Sequence, residues 1–210
     1  MISTFNAVVV AGCLSLFIAV NLDNLIRYHA GFSATSRRPE IERRIVAPLL
    51  LAGIGTLAFF LESFLYVLLG FSKVLLPLIT LLSFGSMQMD LLESVGLFVM
   101  VLGYGIFIWS LVARGQYATS WRMPANHRLV DWGPYRYVRH PSYLGYFLMF
   151  IGFLLLWHDL LALIPLVAIP GYVLITQTEE EMLVAKFGER YKEYQKSAGR
   201  FLLKMRPRKS

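Results

Sequence analysis

From position 45 to 69 the chain runs for 25 residues with a single charged side chain, Glu62. As a helix this stretch rises about 37 Å at ~1.5 Å per residue, enough to cross the ~30 Å hydrocarbon core of a bilayer. Comparable runs recur at 5–22, 91–113, 141–158 and 160–178. A helix satisfies its own backbone donors and acceptors, which lipid cannot do for it. The sequence therefore predicts an all-α, polytopic transmembrane bundle of about five spans. Only 16% of the 210 residues are charged and 57% are hydrophobic, against about 25% charged in a soluble domain. The length suits one domain, 1–210, and no internal repeat divides it.

The net charge of +7 is a membrane signature rather than a nucleic-acid one. Nineteen of the 20 basic residues lie in three regions, 27–44, 114–139 and 186–209, and Lys73 stands alone. Basic residues gather in cytoplasmic loops and against anionic headgroups. If all three regions share the cytoplasmic side, an even number of spans separates each from the next. Five spans satisfy this, with the N-terminus outside and the C-terminus inside. The short apolar piece 74–86, with Pro77 and Gly85, then belongs near the outer interface. The first run lacks a basic leader and a small-residue cleavage site, so it reads as a retained helix rather than a signal peptide. Cys13, the single cysteine, has no intrachain partner, and no metal-ligand spacing is present.

The spans 141–158 and 160–178 read as a tight helical hairpin turning at Trp157-His158-Asp159. Pro165 and Pro170-Gly171 predict a kink in its second leg that opens space beside the hairpin. The segment 179–195 reads as a helix on the cytoplasmic surface. Leu183, Phe187, Tyr191 and Tyr194 form its apolar stripe, and Gly188 marks a bend or a close approach.

Polar chemistry is concentrated in two patches. One is His127-Arg128-Leu129-Val130, then Gly133-Pro134-Tyr135, then Arg139-His140-Pro141-Ser142-Tyr143; the other is Glu179-Glu180-Glu181. Pro141 suits the first turn of a helix, which puts His140 beside unpaired helix amides. Taken singly, these residues have ordinary readings. Arginines anchor membrane edges, tyrosines form interfacial belts, and acidic residues begin helices. Glu62, inside a span, is protonated, paired within the bundle, or functional. The hairpin, however, returns both patches to one membrane face. A histidine, tyrosines, an arginine and carboxylates together suit a zwitterionic, partly aromatic ligand.

The string His127-x-Leu129-Val130-x-x-Gly133-x-Tyr135, then Arg139-His140-Pro141-Ser142-Tyr143-x-Gly145, resembles the isoprenylcysteine carboxyl methyltransferase family. So does Glu179-Glu180-x-x-Leu183-x-x-x-Phe187-Gly188-x-x-Tyr191-x-x-Tyr194. The resemblance covers roughly 127–200 and implies S-adenosylmethionine as cofactor, with a cofactor-binding part at about 114–200. It implies cofactor contacts from His127, Arg128, Leu129, Val130, Tyr135, His140, Pro141, Ser142, Tyr143 and Glu179. It also implies catalytic work for Arg139 and Glu180, and a lipid-like or prenylated methyl acceptor. In the prenylcysteine enzymes an arginine four residues before the cofactor glutamate holds the substrate carboxylate. Here that substrate-binding position is Ile175, which cannot pair an anion. Similar patterns occur in phospholipid-amine methyltransferases and, more loosely, in NADPH-dependent sterol reductases. A non-catalytic membrane protein of the same fold is a further alternative. Neither a metal nor a nucleic-acid partner is expected.

Overall fold

The computed structural model describes residues 2–29, 43–72, 90–115 and 128–204. The piece 74–86 and His127 lie outside the described residues. Six α-helices run through the described residues: α1 Thr4–His29, α2 Arg43–Phe71, α3 Asp90–Arg114, α4 Pro141–Leu156, α5 Ala168–Phe187 and α6 Glu189–Ser197. Short 3-10 turns at Gly133–Arg136 and Leu161–Val167 precede α4 and α5. Extended backbone is limited, among the described residues, to isolated pairing such as Val138 against Gly199.

Four stretches are long and apolar enough to cross a membrane: Thr4–Arg27, Ile45–Phe71, Leu91–Arg114 and Leu161–Phe187. On α2, Leu50, Ile54, Leu57, Leu61 and Phe64 stay exposed at helical spacing, while Ala52, Phe59 and Tyr66 are buried. One face thus meets lipid and the other meets protein. The protein is an integral membrane protein built as a helical bundle. The expected span 141–158 is observed as α4, only 16 residues and about 24 Å long. Its Gly145, Phe147, Met149, Phe150, Gly152, Phe153 and Leu156 are buried, so much of its surface meets protein rather than lipid.

The hairpin turn falls where the sequence puts it. Asp159, fully buried, accepts the Leu161 amide on Oδ1 at 2.9 Å, and its carbonyl accepts Ala162 N–H at 3.1 Å. The legs meet each other through the Leu161–Val167 turn and the Tyr172 ring, but each packs more heavily on another helix. α4 packs on α3 and α5 packs on α2. The first pairing is a glycine seam. A Cβ at Gly103 would meet the Gly145 carbonyl oxygen at 2.7 Å, and one at Gly145 would meet the Gly103 carbonyl oxygen at 2.8 Å. Gly96 and Gly152 repeat the arrangement one heptad away. In lipid, small residues let helix backbones approach closely enough for dense van der Waals packing. Between the splayed legs lies an aromatic wedge, with Tyr172 stacked on Tyr143 at 4.7 Å and on Tyr146 at 5.4 Å.

Two expectations need correction. The second leg is not a helix kinked at Pro170; it is a 3-10 turn containing Pro165 that converts to α-helix at Ala168. Pro170 then sits in the first turn of α5, where its missing donor is harmless. Gly171 opens no gap, because a Cβ there would meet Ala52 N at 2.6 Å and Pro48 O at 2.7 Å. Second, Glu179 to Glu181 do not start a separate surface helix but lie inside α5, which runs unbroken to Phe187. The break comes at Gly188, with φ 56° and ψ −132° and nothing near its missing side chain. Of the two readings of that glycine, the bend holds. It lets α6 fold back so that Tyr191, Tyr194 and Ala198 cluster with Leu129, and Leu183, Val184 and Phe187 pack against them. Burial pushes the Tyr191 and Tyr194 phenols up in pKa, so they pack as neutral groups. The Tyr194 hydroxyl donates to the Tyr135 carbonyl at 2.6 Å.

Candidate active site

Adjacent residues on an α-helix diverge by about 100°, so Glu179 and Glu180 face different neighbours. Glu179 turns toward α4. Its Oε1 accepts the Tyr143 hydroxyl at 2.7 Å, and its Oε2 lies 3.5 Å from His140 Nδ1. Tyr143 is held between two rings, His140 at 5.8 Å and Tyr172 at 4.7 Å, both stacked. Tyr172 is fixed from α2 by a 2.8 Å bond between its hydroxyl and Thr56 Oγ1. The result is one carboxylate at the end of an aromatic wall.

Glu180, 4% exposed, turns toward the segments flanking α4 and α6. Oε1 accepts Arg139 Nε at 2.9 Å and lies 3.1 Å from His140 Nε2. Oε2 accepts Arg200 Nη2 at 2.8 Å and Gln195 Nε2 at 3.2 Å. Arg139 Nη1 also donates to the carbonyls of Gln195 and Ala198. Backbone pairing delivers Arg200 to this point. Arg139 N–H donates to the Gly199 carbonyl at 2.7 Å, His140 N–H to the Arg200 carbonyl at 3.2 Å, and Gly199 N–H to the Tyr137 carbonyl at 3.1 Å. Glu180 is therefore the knot that ties α5, the entry to α4 and the segment after α6 together.

The other sequence-derived residues are placed as follows. His140 caps α4 and Pro141 is its first residue, as the helix-start reading requires. Leu129, Val130 and Tyr135 are buried and Arg128 is exposed. The Tyr135 hydroxyl is buried with no hydrogen-bond partner among the described residues. Ser142 turns to α3, its Oγ 2.7 Å from Ser110 Oγ. Ile175, 1% exposed, belongs to the central core. Sequence reasoning missed Arg200 and Gln195, which nothing distinguishes from other polar residues of the tail, and Tyr172 and Thr56, whose pairing spans two helices far apart in sequence.

Two clefts adjoin the knot. One, of about 560 Å³, is lined by Glu180, Glu181, Gln195, Arg200, Val184 and neighbours; the other, of about 240 Å³, lies between Ile45 and Pro48 of α2 and Leu174 and Thr178 of α5. They share Gln177 and Glu181 as lining residues, so the two clefts lie side by side along α5.

Residues 92–190 match the family model described as phospholipid methyltransferase. A protein-S-isoprenylcysteine O-methyltransferase of Tribolium castaneum is 30% identical over 126 residues, 55% of this chain and 43% of that protein. One of Schizosaccharomyces pombe (strain 972 / ATCC 24843) is 32% identical over 145 residues, 65% of this chain and 61% of that protein. A methanethiol S-methyltransferase of Pseudomonas deceptionensis is 40% identical over 75 residues, 34% of this chain and 27% of that protein. The chain spans about half the length of the first two relatives, 43% and 61%. The Arg139-His140-Pro141 entry to α4 and the Glu179–Glu180 pair on α5 meet in space, and both lie in the part of the chain that is similar to these methyltransferases.

Proposed function

We propose that the protein is a membrane methyltransferase, most similar to protein-S-isoprenylcysteine O-methyltransferase, that takes its methyl group from S-adenosylmethionine and passes it to a hydrophobic or lipid-like acceptor. The observation that carries this reading is the Glu179–Tyr143–His140 cluster set against the Tyr143–Tyr172–Tyr146 wall. A zwitterion with an aromatic ring needs both a carboxylate and a flat apolar surface. The unpaired, buried Tyr135 hydroxyl is a group that a polar ligand would satisfy. The residues therefore fit the cofactor. Glu179, Tyr143 and His140 would hold its polar part, with Leu129, Val130, Tyr135, Pro141, Ser142 and the preceding His127 and Arg128 shaping the rest.

When bound, S-adenosylmethionine supplies a methyl group on a positively charged sulfur that is already a good leaving group. The protein's part is alignment and exclusion of water, and positioning alone supplies about 7–11 kcal/mol. Arg139 and Glu180 act in this reading as positioning residues, since both are engaged with each other and with the segment after α6. The cleft beside Ile45, Pro48 and Leu174 supports an acceptor that enters sideways from the bilayer. Ile175, one turn before Glu179, is packed in the core and brings no cation to the acceptor.

The test is calorimetric titration of the detergent-purified protein with S-adenosylmethionine and, separately, NADPH. Glu179→Gln keeps the shape and removes the charge. Loss of a charge-assisted hydrogen bond costs about 1.5–3 kcal/mol, or about 10- to 150-fold in affinity. Tyr143→Phe is expected to move binding in the same direction by less. Equal binding by wild type and both variants would remove the cluster from the cofactor site, and binding of NADPH alone would move the protein to the reductase class.

The basic regions support a cytoplasmic site and C-terminus. With Cys13 replaced by alanine, a cysteine at Lys196 on α6 should resist an impermeant maleimide in intact cells and react after permeabilisation. Labelling in intact cells would invert the orientation.

A further inference from the structure

A polar contact joins α2 to α5 inside the bundle. Thr56 Oγ1 and the Tyr172 hydroxyl lie 2.8 Å apart. Close backbone packing flanks the pair. A Cβ at Gly55, beside Thr56, would meet Ala168 N at 2.6 Å, and one at Gly171, beside Tyr172, would meet Ala52 N at 2.6 Å. The two backbones already touch, so the helices hold the pair in place. The Tyr172 ring, 7% exposed, packs against Tyr143 at 4.7 Å, Tyr146 at 5.4 Å and Phe147 at 6.3 Å. Glu179 is seven residues and so two turns further along the same face of α5, within electrostatic reach of Tyr172. A buried hydroxyl that loses its partner must find another, and a carboxylate accepts more strongly than a neutral group. Tyr143 already bonds Glu179 Oε1 at 2.7 Å. A second phenol turned onto Glu179 would take the acceptor capacity that a ligand needs.

We propose that Thr56 is a positioning residue of the cofactor site: by holding the Tyr172 hydroxyl on α2 it keeps that phenol off Glu179, and so leaves the carboxylate open to the ligand and the aromatic wall in register. The inference rests on the methyltransferase reading above. It extends the site to α2, a helix that carries none of the motif residues. The energetic signature is asymmetric. Without the Thr56 hydroxyl, the Tyr172 hydroxyl is stranded among rings, and in the free protein the ring tilts toward Glu179. Binding must then undo that tilt. Without the Tyr172 hydroxyl, Thr56 loses little, because a helical threonine can turn its own hydroxyl to the carbonyl four residues back. Removing both hydroxyls leaves two apolar groups of nearly the original shape, which costs little. A phenol that instead touched the ligand directly would give the opposite order. Tyr172→Phe would then be the damaging change, and a second substitution would rescue nothing.

The experiment is calorimetric titration of the full chain in detergent micelles with S-adenosylmethionine. Wild type, Thr56→Val, Thr56→Ser, Tyr172→Phe and the double variant Thr56→Val/Tyr172→Phe are compared, with thermal unfolding recorded for each. Thr56→Val should weaken binding by about 5-fold or more, the lower end of the cost of stranding a buried polar group. Thr56→Ser keeps the hydroxyl and should bind within about 2-fold of wild type, as should Tyr172→Phe. The double variant should bind more tightly than Thr56→Val alone. Affinity regained by adding a second substitution is a result that general destabilisation cannot produce. Wild-type affinity in Thr56→Val, no recovery in Thr56→Ser, a double variant weaker than Thr56→Val, or a Tyr172→Phe loss as large as that of Thr56→Val would each overturn the assignment while leaving the cofactor reading intact. The last of these would make the Tyr172 hydroxyl itself a ligand contact. Failure of wild type to bind S-adenosylmethionine would remove both.

Discussion

Glu180→Ala is expected to destabilise the protein by about 3–5 kcal/mol, the cost of removing one partner from a buried ion pair. The cause lies in what stays behind. Arg139, with a side chain only 11% exposed, keeps its charge without a counter-ion, and His140 Nε2 and Gln195 Nε2 lose an acceptor. Arg200→Ala should cost less, because its side chain is 37% exposed and water screens what it leaves. Combining Glu180→Ala with Arg139→Met should recover part of the loss, since the second change removes the stranded charge and residues sharing a network do not add. Thermal unfolding in detergent reads the stability. Limited proteolysis reads whether the segment after α6 has come away from Tyr137–His140, as the backbone pairing there predicts. If Glu180→Ala melted like wild type yet lost all turnover, Glu180 would be reassigned from positioning to catalysis.

The contrast between Glu179 and Glu180 bounds what the sequence could reveal. The motif placed both glutamates near His140, and their contacts agree. It could not assign one to the aromatic wall and the other to the ion cluster, because that division depends on the rotation of α5 about its axis. The apolar runs revealed the helices, and the stripe Leu183, Phe187, Tyr191, Tyr194 revealed a face that packs. Helix pairing was hidden, since run length reports that a segment enters lipid but not which neighbour it meets. A signal for the pairing did exist. Gly96 and Gly103, like Gly145 and Gly152, are seven residues apart, a spacing that keeps small residues on one helix face. Arg200 was hidden for a different reason. It lies in a basic region where the average arginine is an anchor, and only its pairing with Glu180 sets it apart.

That glycine seam carries the second large expectation. A Cβ at Gly152 would sit 2.7 Å from the Gly96 carbonyl oxygen, and the nearest atoms also include backbone of Met100. Backbone cannot swing aside as a side chain can, so a larger residue must push α3 and α4 apart along their length. Gly152→Leu is therefore expected at or beyond the upper end of the about 1–3 kcal/mol usual for overpacking. Separation should also disturb the Ser110–Ser142 bond about three turns nearer the site along α4, and so weaken cofactor binding from a position remote from Glu179. Gly105 provides the control on the facing helix α3, because nothing lies within 4 Å of a Cβ built there. Gly105→Ala removes only the helix penalty of glycine and should stabilise α3 by up to about 1 kcal/mol. Unfolding midpoints of the two variants in one detergent should move in opposite directions. A Gly152→Leu protein that melts with wild type would show that α3 and α4 do not meet through this seam.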